Sequence, residues 1–278
     1  MTTFAQHIER LRITPKAGEL DDQIVGAIES FLPARNEFLQ VLGTLTQYGR
    51  AGEAGSVLHR FIESLLPYYA QAQDQRSWDP HEFDHFKFIV HELFLYCVAS
   101  LVRHGDYASA NHLMTQPYYL AHNAQRGRGA AEHFSAIRQY LRSLEIRNRR
   151  LNLRRLSLRA DLLEQRSKTT GIPFRYIMQA DFICFMRASL TGADLYDGWW
   201  PETLVYANYG YGPFEEFARA ASKTHLARVL PLLGVSSLEP IQAKLQDFQR
   251  DPNALPRWEH AGINPAAMLG FKELGTQP

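Results

Sequence analysis

Cysteine is nearly absent: Cys97 and Cys184 are the two thiols in 278 residues. Two distant thiols exclude a disulfide framework, and their apolar surroundings point to buried free thiols in a reducing compartment. Lysine is scarce as well, with six residues, so the positive charge is carried almost wholly by arginine. The opening MTTFAQHIER lacks the basic-then-apolar pattern of a secretion signal. The longest apolar run, FIVHELFLYCVASLV (88–102), contains His91 and Glu92 and falls short of the ~20 residues a membrane span needs. No alternating β-branched runs bounded by Asn-Gly turns occur, so little strand is expected. A P-loop, a G-x-S-x-G elbow and a paired-cysteine zinc site are all missing. The string Tyr209-Gly210-Tyr211-Gly212-Pro213 lacks the third glycine and the preceding strand of a dinucleotide fingerprint. These absences lead to the expectation of a soluble, cytoplasmic, non-enzymatic protein with no cofactor, no metal and no membrane contact.

What is present is helical periodicity. Apolar content is 45% and charged content 21%, enough to bury a core. The pattern predicts helices over 20–31, with Ile24, Ile28 and Phe31 inward, and over 34–48 after a break at Pro33. GRAGEAG (49–55) reads as a linker, and 56–72 as a helix facing inward through Val57, Phe61 and Leu65. Asp79-Pro80-His81-Glu82 has the form of a capped helix start, running to about His104 and stopped by Gly105. Asp106 caps the next helix, which completes an αα-hairpin. Further helices are expected from 132 to 168 with one break near 148–152, over 174–190 as a buried central helix, from 214 to 233, and over 238–250. The fold class is therefore all-α: roughly ten helices packed as αα-hairpins in an irregular bundle. It divides into an N-terminal helical subdomain (1–120), a loop (121–131) and a C-terminal helical subdomain with a docked tail (132–278), joined as one continuous unit.

The charge is uneven. Residues 138–159 hold eight arginines (138, 142, 147, 149, 150, 154, 155 and 159) against the single acid Glu145, a local charge of +7 in a chain of net +1. Such a block attracts anions even when the whole molecule is nearly neutral. Helical spacing puts Arg147, Arg150 and Arg154 on one face and Arg155 and Arg159 on another. With Arg126 and Arg128 in the loop, these form the candidate anion- or partner-binding set. The leucines interleaved with them imply a helix buried on one side. Asp161, Glu164, Asp181, Glu215 and Glu216 are available to pair with them. A salt-bridged helix or an acidic protein partner is favoured over nucleic acid, because a dedicated nucleic-acid binder is usually basic overall.

Three smaller groups carry competing readings. His81-Glu82-Phe83-Asp84-His85 fits H-E-x-x-H, the helical zinc motif in which the glutamate activates water. Its first histidine falls in the first helical turn and no third ligand follows in register, so a zinc hydrolase at His81 and His85 stands only as a lesser alternative. His91-Glu92 inside an apolar helix reads as a buried acid paired to one of the arginines, or else as a ligand-sensing or catalytic carboxylate. Trp199, Trp200, Tyr206, Tyr209 and Tyr211 read as core packing, or as a platform for a flat ring.

Long strings resemble a known type of region: ITPKAGELDDQIVGAIESFLPARNEF, FDHFKFIVHELFLYCVASLVRHGDY, LRRLSLRADLLEQRSKTTGIPFRYIMQADFICFMR, WWPETLVYA and PFEEFARAASK, together spanning about residues 13–275. They resemble the helical portion that follows a TIR- or SEFIR-like domain in bacterial proteins associated with antiviral defence. The resemblance implies sensing, partner binding or self-association and carries over no catalytic residues. About a dozen residues precede it, which leads to the expectation of a stand-alone module working with a separate effector, or of a domain excised from a longer protein. The resulting reading is a non-catalytic helical sensing or partner-binding module. Its partner is expected to be a protein or effector subunit, with self-association also possible. Nucleic-acid or nucleotide binding by the Arg138–Arg159 block is the alternative.

Overall fold

The structure is a computed structural model and describes residues 2–13, 18–50, 52–70, 80–120, 129–192, 198–207, 210–259 and 261–278. It is an all-α irregular bundle, built around two apolar helices that the sequence pattern marks out. Helix α5 (Asp84–Arg103) is buried at every position from Asp84 to Val102, and α9 (Phe174–Leu190) at every position from Tyr176 to Ser189. A helix apolar on all sides has to be enclosed on all sides. These two pack on each other, and the rest of the chain wraps them: α2 (Leu20–Ser30), α3 (Leu32–Tyr48), α4 (Glu53–Leu65) and α6 (Tyr107–Thr115) all lie against α5. One stretch, His81–Arg103, is long and apolar enough to cross a membrane by length and composition, and its apolar part, Phe83–Val102, is buried inside the protein. Both cysteines are free and buried in these two helices.

Local chemistry sets several boundaries where the sequence places them. Gly105 takes a left-handed φ of 74° just past α5, and the Asp106 side chain accepts the Ser109 amide to cap α6. The break expected at Pro33 falls two residues earlier, at Phe31, and Pro33 sits in the first turn of α3, where a missing N–H costs nothing. The cap expected at Asp79 lies outside the described residues. The chain beyond it runs as a 3-10 turn, Pro80–Phe83, before α5 begins, so the helix starts later than its capping pattern suggests.

The structure departs from the pattern in several other places. The 49–55 linker is shorter than expected because α4 begins at Glu53. Gly55 is a packing residue of that helix: a Cβ there would meet His112 Cβ at 2.9 Å and Ser109 Cα at 3.0 Å, so its absence lets α4 approach α6. Val57 faces outward at 49% exposure and Leu58 takes the buried position instead. Residues 118–119 and 131–132 form a two-residue antiparallel ladder next to the expected 121–131 loop. The stretch 132–168 is not one broken helix. It runs as a 3-10 turn (Phe134–Ile137), an extended link, α7 (Arg142–Arg150), a turn over 151–157, and α8 (Leu158–Ser167). Similarly, 214–233 divides into α10 (Glu215–Arg219), α11 (Lys223–Val229) and a 3-10 turn. Then α12 spans Glu239–Arg250, and α13 (Pro265–Leu269) buries Met268 and Leu269 in the core.

Candidate functional site

The arginine block maps onto α7, the turn after it and the start of α8, and the fold divides it into an inner and an outer set. Arg147 and Arg150 reach across to Asp21 and Asp22 at the start of α2. Arg150 Nη2 lies 2.7 Å from Asp21 Oδ2 and 2.8 Å from Asp22 Oδ2, and Arg147 pairs with both acids. These hydrogen bonds hold Asp22 below its usual carboxylate range, with Arg147 contributing most. Arg155 grips Asp161 with two hydrogen bonds of 2.6 and 2.9 Å, and the Tyr206 hydroxyl donates to the same carboxylate at 2.6 Å. Arg138 and Arg159 turn inward to share Glu202. Four carboxylates from outside the block therefore reduce its local charge from +7 to +3. Arg142, Arg149 and Arg154 carry no ion pair among the described residues and are exposed.

The helical-face grouping inferred from spacing does not hold. Arg154 lies beyond the end of α7 with a left-handed φ of 52°, and Arg155 lies in the same turn, so neither continues a helical stripe. Of the acids expected to neutralise the block, only Asp161 does so. Glu164 pairs with Lys168, Glu215 with Arg219, and Glu216 with Arg219 and His225. Asp181 accepts from Trp199 Nε1 at 2.5 Å and from Thr203. Sequence reasoning missed Asp21, Asp22 and Glu202 as partners. Adjacent acids in a first helical turn already have a reason to be there, in the helix dipole, which masks a second role. Arg126 and Arg128 lie outside the described residues.

The turn over 151–157 is built, not merely a connection. The Asn148 side chain donates to the Arg155 carbonyl at 2.7 Å and accepts the Arg155 amide at 3.1 Å, while the Leu153 amide reaches the Asn148 carbonyl at 3.0 Å. Asn152, like Arg154, is held at positive φ, which is uncommon outside glycine. The consequence is a ridge on which every residue from Arg149 to Leu156 is exposed. Ile146, Leu151, Leu153 and Leu156 stand in solvent on it, with Tyr140 before it and Tyr206 beside Leu156. Six of the ten large apolar side chains exposed among the described residues thus belong to this one neighbourhood, which separates it from ordinary scattered exposure. The three unpaired arginines are interspersed with them.

The other candidates resolve into structure. Glu92 is fully buried between Arg35 and Arg166, the paired reading of His91-Glu92. His85 is buried, and that burial pushes its imidazole down to about 3. His81 lies in the 3-10 turn and not one helical turn away on α5. Among the described residues no three His, Cys, Asp or Glu side chains converge into a metal-binding set. Trp199 is core: its ring packs 5.2 Å from His91 and 5.6 Å from Phe134. Tyr211 packs on Phe214, and Tyr209 lies outside the described residues. No protein-family model, curated protein or solved structure matches the chain.

Proposed function

We propose that this protein is a non-catalytic helical module that docks a protein partner on the 142–156 ridge. The observation that carries this reading is the exposure of Ile146, Leu151, Leu153 and Leu156 on a turn pinned by its own hydrogen bonds, among arginines with no ion pair. Keeping apolar side chains in water is unfavourable by about 25 cal/mol per Å². A turn built to display them therefore suits burial against another surface. The arginines Arg142, Arg149 and Arg154 call for acidic residues around an apolar groove on that partner, since complementary charge fixes register and speeds encounter. The resemblance to helical regions of TIR- and SEFIR-associated bacterial defence proteins supports a place in antiviral defence or signalling, with an effector subunit as the partner. The neutralisation of most of the block speaks against nucleic acid, because three unpaired arginines are few for a phosphate-tracking surface.

The test is co-purification with the products of neighbouring genes, comparing the wild-type chain with Leu153→Ser/Arg154→Glu. Both positions are exposed, so the double variant should fold normally, as circular dichroism would verify. Loss of a stoichiometric partner in the variant alone supports the reading. Retention of the same partner by the variant, or a wild-type chain that stays monomeric and alone, contradicts it.

A further inference from the structure

On the inner side of the same segment, Arg138 and Arg159 face a cleft of about 470 Å³, within the roughly 300–1,000 Å³ typical of small-molecule sites. Arg159 is 4% exposed, and none of its three guanidinium nitrogens makes a hydrogen bond. Its closest carboxylate contact is Glu202 Oε1, 3.5 Å from Nη1. That oxygen is already taken by Arg138 Nη2, and the other oxygen of Glu202 accepts the Ser157 hydroxyl at 2.9 Å. Arg138 Nε also lacks a partner. Asp84, which also acts on Arg159, is held by Lys87 and the Ser143 amide. Two guanidiniums thus share one carboxylate that Arg159 approaches only to 3.5 Å, which leaves the N–H donors of Arg159 without a hydrogen bond in a buried site.

An arrangement of this kind is expensive. Burial works against the Arg159 cation and pulls it down to about 10. Burial also works against the Glu202 charge, but Arg138 and Arg159 outweigh it and hold the carboxyl below its ordinary range. A second acid on the cleft, Glu145, is pushed above its ordinary range by burial and by Glu202 and makes no ion pair among the described residues, so the Arg159 donors stay unmet, and a buried donor without a hydrogen bond is costly. An incoming oxyanion would meet those donors. The planar fork of arginine matches the oxygens of a carboxylate or phosphate. The walls complete the picture. Trp200 and Trp258 meet edge to face, 5.5 Å between ring centres, and Tyr140 stands at the rim with 58% exposure. Aromatic walls above a guanidinium floor suit a flat ring, which gains offset-stacked or edge-to-face contact.

We propose that this cleft binds a small anion whose carboxylate or phosphate is carried on a flat aromatic ring, with Arg159 and Arg138 on the anionic group and Trp200 and Trp258 against the ring. The cleft adjoins the docking ridge, with Leu156 in its lining and Tyr140 at its rim, but its donors, Arg138 and Arg159, belong neither to the exposed apolar set nor to the unpaired arginines of the ridge.

Isothermal calorimetry with phenyl phosphate, benzoate and inorganic phosphate tests this on the whole chain. At least one ring-bearing anion should bind saturably, and the comparison between phenyl phosphate and benzoate identifies which anionic group the site takes. Inorganic phosphate should bind at least about tenfold more weakly. Trp258→Ala and Arg138→Gln should each weaken the ring-bearing anion by about tenfold or more. Arg159→Lys keeps the charge but loses the fork and should do the same. Should Arg159→Lys fail to fold, the partly exposed Arg138 and the rim variant Tyr140→Ala keep the test decisive. No saturable heat with either ring-bearing anion, equal binding of inorganic phosphate, or indifference to Arg138→Gln and Trp258→Ala would overturn the proposal.

Discussion

Replacing Glu92 by glutamine should be among the most damaging single changes available to this fold. Glu92 is fully buried and accepts from Arg166 Nε at 2.8 Å, from Arg166 Nη2 at 2.7 Å and from Arg35 Nη1 at 3.3 Å. The remaining donors are also engaged. Arg166 Nη1 reaches the Ile28 carbonyl at 2.9 Å, and Arg35 reaches the Arg166 carbonyl, Thr169 and Asn36, each at 3.0 Å. The triad therefore ties the C-terminal end of α2 to α3, α5 and α8. Glutamine keeps the volume and removes the charge, leaving two buried guanidiniums with no counterion. Breaking a buried pair in this way costs about 3–5 kcal/mol, a large part of the roughly 5–15 kcal/mol that holds a typical fold. Urea unfolding followed by circular dichroism would show the midpoint falling accordingly. A companion variant, Arg35→Met/Glu92→Leu/Arg166→Met, removes all three charges and should be neutral, or more stable by about 1–4 kcal/mol, if the apolar side chains pack. A Glu92→Gln protein within about 1 kcal/mol of wild type would refute the reasoning, because the loss would then fall below even the low end for a broken buried pair.

Gly55→Ala should cost about 1–3 kcal/mol by overpacking the α4–α6 contact, read as a lower urea midpoint. Acid should weaken the fold through its buried histidines. His85 is held near 3 and His91 is pushed well down by burial, while both titrate near 6.5 once unfolded, so stability is lost as pH falls from about 6.5 toward 3. Asp181, raised to about 6 by burial, acts in the opposite sense between about 4 and 6, but it is one group against two. His85→Gln should therefore reduce the stability lost between pH 7 and pH 5 by about 2 kcal/mol, measured as urea midpoints at the two values. Binding to DNA or RNA, if detected, should depend only shallowly on salt. Three unpaired arginines give a slope of log K against log salt no steeper than about −3, whereas engagement of all eight would approach about −7.

The central helices were legible because nothing else can be made of a run like FRYIMQADFICFMRASL: it is apolar on every face, so it must be enclosed, and α9 is. Gly105 and Asp106 were legible for the same local reason, since left-handed glycine and a capping carboxylate act within a few residues. The stretch 132–168 was not. Its leucines and arginines satisfy a helical pattern, but Arg138 and Arg159 are drawn to Glu202, and Asn148 hydrogen-bonds the chain into a turn. Both effects are tertiary or side-chain specific and leave no period in the sequence. Gly55 misled because a glycine that permits close helix approach looks the same in sequence as one that permits a turn. The arginine block was legible as a concentration of charge, while the division between its paired and unpaired members depends on Asp21, Asp22 and Glu202, which lie far away along the chain. Leu151, Leu153 and Leu156 among those arginines belong to the pattern of a buried helical face but are exposed, since exposure depends on where α7 ends.

The docking ridge is tested most directly by photo-crosslinking in the native cell, with a photoreactive residue placed at Leu153 and, as a control, at the still more exposed Val41 on α3. The account predicts a single discrete protein adduct from position 153, absent from position 41 and lost when Arg149 and Arg154 are both changed to glutamate. Identical adducts from the two positions, or an adduct at 153 that survives the loss of both arginines, would contradict it.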